Sequence, residues 1–131
     1  MKVFIKQKKE AGIELFLKIN KGGKIMKKIC IVFITVDKKN AAMKIVNQLL
    51  NKKLAACINI IENIKSCYLW KGKIEKAKEV LLIIKTGKNK IEDLIKFVKK
   101  IHPYTVPEII AYDIIKGNED YIDWVISETT K

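Results

Sequence analysis

One histidine and three cysteines are the soft-ligand inventory of this 131-residue chain: His102, with Cys30, Cys57 and Cys67. Imidazole and thiolate suit copper or zinc, so Cys57, Cys67 and His102 are the atoms from which a metal site could be built. The competing reading of Cys30 and Cys57 is packing, because a free cysteine behaves as a small apolar residue. His102 lies between a predicted helix end and Pro103, where a helix C-terminus favours a protonated imidazole, so it is either a capping residue or a ligand. Tyr104, Pro107 and Glu108 follow it on a loop stiffened by two prolines, and that polar cluster reads as a small-molecule or ion site.

Other chemistries find no support. Nucleophilic catalysis needs a base beside the nucleophile, and His102 would have to serve every such scheme. Ser66 and Ser127, the two serines, lie in no nucleophile-elbow pattern, and no glycine-rich phosphate loop is present. The protein is therefore read as a non-enzyme. An RNA-binding sheet needs stacking aromatics on its central strands, yet KICIVFITV (28–36) and VLLIIKT (80–86) hold only Phe33. All 27 basic residues are lysine, which lacks the planar fork that reads phosphate and guanine, so a nucleic-acid partner is not expected. The net charge of +13 is read as a solvated lysine-rich surface. Apolar runs are strand-sized, far below the roughly 20 residues that span a bilayer, so no integral membrane segment is expected. The odd cysteine count without CxxC spacing fits a reducing compartment.

The elements that must position these residues follow from periodicity. KICIVFITV is a continuous apolar run, predicting a strand over 28–36 buried on both faces. Asp37 can cap the next helix, predicted over 38–52 from Ala42, Ile45, Val46, Leu49 and Leu50 at helical spacing. Two β-rich runs, 55–70 and 73–86, flank Lys71-Gly72-Lys73 and predict a long hairpin. A second helix over 89–101 carries Ile91, Leu94, Ile95 and Val98 on one side and ends at Pro103. A fourth strand is expected over 108–115. A short final helix begins near Glu119 and Asp120, after Gly117-Asn118. The order β-α-β-β-α-β-α predicts an α+β, ferredoxin-like fold with both main helices on one face of an antiparallel sheet and an extra C-terminal helix. Hairpin strands this long overhang so small a domain and leave edges to protect, which predicts an oligomer.

Residues 1–26 read as a basic N-terminal extension ahead of a domain over 27–131. Residues 1–28 hold nine lysines against two acids, with an apolar cluster from Ile13 to Ile19 and a flexible break at Gly22-Gly23. The extension is either a targeting remnant or a stretch ahead of a true start at Met26. The expected location is cytoplasmic, or a plastid-type organelle if residues 1–25 are a targeting remnant.

Five segments in this order resemble the CutA family of divalent-cation tolerance proteins: KKLAACINII (52–61), YLWKGKIE (68–75), EVLLIIKT (79–86), IHPYTVPEIIAYDI (101–114) and GNEDYIDWV (117–125). The resemblance covers roughly residues 28–128. It implies a homotrimer joined through the long hairpins, similar to PII signalling proteins, with Tyr68, Trp70 and Lys71 near His102, Tyr104 and Glu108 in clefts between subunits. Trp70 is alternatively an oligomer anchor. Bacterial members are linked to copper tolerance, with a proposed site of one cysteine at the end of the first strand and two successive histidines. Here those positions read Ile34 and Ile101-His102, so Cys57, Glu108 or neighbouring subunits would have to complete the ligation. Two functions follow from the resemblance: copper or other divalent-cation binding and tolerance through His102 and Cys57, or PII-like binding of a small anionic ligand by Tyr68, Trp70, Lys71, Lys85, Tyr104 and Glu108.

Overall fold

Alternation of side chains along Ile29–Val36 (β3) organises the molecule. In the computed structural model, which describes residues 17–19 and 25–130, Val32, Ile34 and Val36 are fully buried on one face, while Ile31 and Phe33 are half-buried on the other. The strand is thus covered completely on one side only, where its unbroken apolar run predicted two. Its neighbours are Lys73–Gly87 (β5) and Ile109–Asp113 (β6), both antiparallel, and Cys57–Trp70 (β4) pairs with the far edge of β5. The order β4-β5-β3-β6 is the ferredoxin-like one. The fourth strand is shorter than expected because β6 has a partner only along Cys30 to Ile34 of β3.

Lys39–Asn51 (α1) and Ile91–Ile101 (α2) cover the same sheet face. Ala42, Ile45, Val46, Leu49, Leu94 and Val98 meet Val32, Ile34, Val36, Val80, Leu82 and Ile84 in one core. Each fully buried Leu, Ile or Val there contributes roughly 1.5–3 kcal/mol. Asp37 does not cap α1. The N-cap is Lys38, whose carbonyl accepts from the Ala42 N–H at 3.0 Å and which offers no side-chain acceptor, so Asp37 falls one residue outside the helix. At α2 the charges agree with the helix dipole, Glu92 and Asp93 in the first turn and Lys99 and Lys100 in the last.

Glu119–Glu128 (α3) lies against the opposite face at one end, packing Ile122, Val125 and Ile126 on Ile29. Gly87, opposite Ile29, makes this approach possible, since a Cβ there would lie 2.9 Å from Asn89 Oδ1 and 3.3 Å from Thr129 Oγ1. Asn118 caps α3, its Oδ1 accepting from the Asp120 N–H at 3.0 Å. Asn118→Ala is expected to lower stability by about 1 kcal/mol, read as an earlier midpoint with unchanged slope in urea unfolding.

The hairpin turns through Lys71 and Gly72, with φ of 51° and 80°, the two left-handed residues of a type I′ turn. Beyond Glu79 its strands have no third partner, and Leu69, Trp70 and Ile74 are exposed. A bulge between Ile61 and Ile64, with Asn63 at φ 60°, separates this overhang from the sheet proper. Leu17–Ile19 (β1) and Ile25–Lys27 (β2) form a separate antiparallel pair, and the Gly22-Gly23 break lies outside the described residues.

Candidate functional site

Helix α2 delivers His102 to the end of the sheet. The His102 N–H closes the helix on Val98 O at 2.8 Å, and Pro103 prevents a further turn. Its ring is 7% exposed, with Nε2 2.8 Å from the Thr35 carbonyl and Nδ1 3.0 Å from the Tyr104 backbone N–H. The His102 and Tyr104 rings pack at 4.7 Å between centroids. From that anchored backbone the Tyr104 hydroxyl donates to Glu79 Oε2 at 2.6 Å.

Glu79 is the residue that sequence reasoning missed as a site candidate. In the sequence it is one more charge in the predicted 73–86 strand, beside Glu75, Lys76 and Lys78. In the fold it is 7% exposed. Burial, the hydrogen bond to Glu79, and the charges of Glu79, Asp37 and Tyr68 all push the Tyr104 phenol well above its ordinary value, burial contributing most. Glu79, Asp37, Tyr68, Tyr104 and His102 thus gather at one place with a negative local field. Burying a carboxylate is costly unless it is paired. The ion pairs among the described residues, Lys39–Glu62 and Lys88–Asp113, do not include Glu79.

The other candidates lie elsewhere. Trp70 and Lys71 stand at the hairpin tip, and Glu108 is exposed just ahead of β6. Lys85 donates to Asn59 Oδ1 and sits opposite Cys57 near the other end of the sheet. The β5 register sets Lys85 against Ile31, four residues from Thr35, so Cys57 is at least about 13 Å from the His102 end along the strand direction. The Cys57 thiol faces Tyr121 of α3, whose phenol is pushed up to about 12 by burial first and then by Cys57. Ile34 is fully buried and Ile101 half-buried in the core. Among the described residues no group of three or more His, Cys, Asp or Glu side chains could hold a metal ion. A copper centre on His102 and Cys57 does not fit this arrangement within one subunit.

Cys30 forms a separate polar contact at the sheet edge. Its thiol donates to Asp113 Oδ1 at 3.3 Å, and Lys88 Nζ reaches Asp113 Oδ2 at 2.8 Å. Burial, then Asp113, raises the thiol to about 11. Since only the thiolate alkylates, iodoacetamide at pH 8 is expected to label exposed Cys67 and spare Cys30 in the folded protein, with peptide mass spectrometry as the readout.

Residues 30–128 match the family described as CutA1 divalent ion tolerance protein. The chain belongs to the CutA family. It is 41% identical over 99 residues to the divalent-cation tolerance protein CutA of Thermus thermophilus, covering 76% of this chain and 96% of that one. The chloroplastic CutA of Arabidopsis thaliana is also 41% identical over 99 residues, but the match spans 54% of its length, about half. The periplasmic divalent cation tolerance protein CutA of Archaeoglobus fulgidus superposes with a TM-score of 0.74 at 40% identity, covering 77% of this chain and 98% of that one. The α+β sheet-and-helix arrangement predicted for this CutA-family chain is therefore the family's own fold.

Proposed function

We propose that this CutA-family chain assembles as a homotrimer and serves divalent-cation tolerance by binding a cation, or a ligand's cationic group, at Glu79 and Tyr104. The observation that carries the reading is the buried Glu79 carboxylate, met by one phenol and by no ammonium group among the described residues. Carboxylate and phenol oxygens suit harder divalent cations better than copper, which favours nitrogen and sulfur. The anionic-ligand reading is weaker, because Lys71 and Lys85 lie at opposite ends of the hairpin and converge on nothing within one subunit. The site works by binding, with no covalent step.

The assembly reading rests on the sheet face left bare beyond α3. Phe33, Leu81, Ile83, Ile110, Tyr112 and Ile61 share that face, and Ile110 and Tyr112 are about half exposed. A contiguous apolar face of this kind, ending at Glu79, calls for a protein partner. A second and third copy of the chain supply it and turn the Glu79 end into a cleft. No helix among the described residues is long and apolar enough to cross a membrane, and three free cysteines suit a reducing compartment. We place the protein in the cytoplasm, with a plastid-type organelle as the alternative destination for a chain whose residues 1–25 act as a leader. Light scattering combined with calorimetric titration of Mn²⁺, Zn²⁺ and Cu²⁺ tests the reading. The expected result is a three-chain particle with one saturable cation site per chain. A monomer, or a trimer that takes up none of the three ions, would overturn it.

A further inference from the structure

We infer that His102 is a positioning residue, held as its neutral Nε2–H tautomer between Thr35 and Tyr104, and that it sets Tyr104 on Glu79 and offers no lone pair to a metal. A carbonyl oxygen can only accept, so the 2.8 Å contact to Thr35 O requires the proton on Nε2. A backbone N–H can only donate, so the 3.0 Å contact from Tyr104 N requires the lone pair on Nδ1. One species satisfies both. The Nδ1–H tautomer would set an N–H against an N–H on one side and a lone pair against a carbonyl on the other. The imidazolium would create the first of these clashes.

The surroundings leave no third role for the ring. It is buried, the Tyr104 ring packs against it at a tilt of 58°, and the residue before it, Ile101, packs into the core. A metal would have to displace either the part-buried Tyr104 amide or the buried Thr35 carbonyl, leaving a backbone group without its partner. This chain therefore keeps an imidazole for its shape and its two hydrogen bonds. The consequence for Glu79 rests on the cation-site reading, whereas the tautomer does not.

The chain has a single histidine, so a long-range ¹H–¹⁵N correlation spectrum of the full protein contains one pair of ring nitrogens. The expected spectrum shows a protonated Nε2 and an unprotonated Nδ1, a pattern that persists when Zn²⁺ is added to saturation. The other tautomer, an averaged pair, or conversion of either nitrogen to a metal-bound one on adding Zn²⁺ would overturn the inference. Two amide variants separate positioning from general support. In His102→Asn the side-chain oxygen falls near Nδ1 and still accepts from Tyr104, while in His102→Gln the amide nitrogen falls near Nε2 and still donates to Thr35. Hydrogen exchange of the Tyr104 amide, which donates to Nδ1 at 3.0 Å, is expected to stay slow in His102→Asn and to become fast in His102→Gln. The reverse order, or equal rates in both, would contradict the assignment. If no cation binds at all, the function proposed above fails while the tautomer and the Asn–Gln contrast still decide this inference.

Discussion

Phe33→Glu is expected to leave each subunit folded and to reduce the particle from three chains to one. Phe33 lies mid-strand on the bare sheet face, flanked by Ile83 and Ile110 and packed 5.6 Å from the Tyr112 ring. The core that folds the subunit is on the other face, built on Val32, Ile34, Leu82 and Ile84, and the substitution does not touch it. Covering Phe33 in an interface is worth roughly 1.5–3 kcal/mol, and a carboxylate buried there without a partner costs several kcal/mol more. Repeated in every subunit, that penalty exceeds what an interface of ordinary size spares. Light scattering gives the chain count and far-ultraviolet circular dichroism checks the fold. A three-chain Phe33→Glu particle would place the interface elsewhere.

Glu79→Gln is the second large effect. The amide oxygen can still accept from the Tyr104 hydroxyl, so loop 103–108 stays in place, and only the charge is removed. A unit charge about 4 Å from a cation is worth about 4 kcal/mol at an effective dielectric near 20. A divalent ion doubles that to about 8 kcal/mol, and even half of the doubled figure lowers affinity at least about 100-fold. Folding stability is expected to hold or rise, because an unpaired buried carboxylate costs stability in the ion-free protein. Tyr104→Phe removes a neutral oxygen and leaves the Glu79 charge in place, so it should weaken binding less, about tenfold. Equal losses in the two variants would mean that the phenol, not the charge, holds the ligand.

The element order was legible because Ala42, Ile45, Val46 and Leu49 repeat at helical spacing and because Lys71-Gly72 suits a tight turn, both properties of neighbours in sequence. What failed was non-local. The unbroken apolar run of β3 suggested two covered faces, but within the subunit α3 reaches only its Ile29 end and leaves Ile31 and Phe33 half-buried. Asp37 has a capping side chain, yet the helix begins where Lys38 O finds the Ala42 N–H. His102 stood out by its uniqueness, while Glu79 looked like any other charge of the hairpin strand. Its burial depends on Tyr104, 25 residues later, arriving through a loop that His102 pins to Thr35. Cys57 and His102 share ligand chemistry but occupy opposite ends of the sheet, a separation that only strand register reveals.

The most direct test is calorimetric titration of Mn²⁺ into the wild-type protein and Glu79→Gln side by side, with light scattering on both. One saturable site per chain in the wild type, weakened at least about 100-fold in an intact Glu79→Gln trimer, is the predicted result. Equal binding by both proteins, or none by either, would contradict a cation site at Glu79.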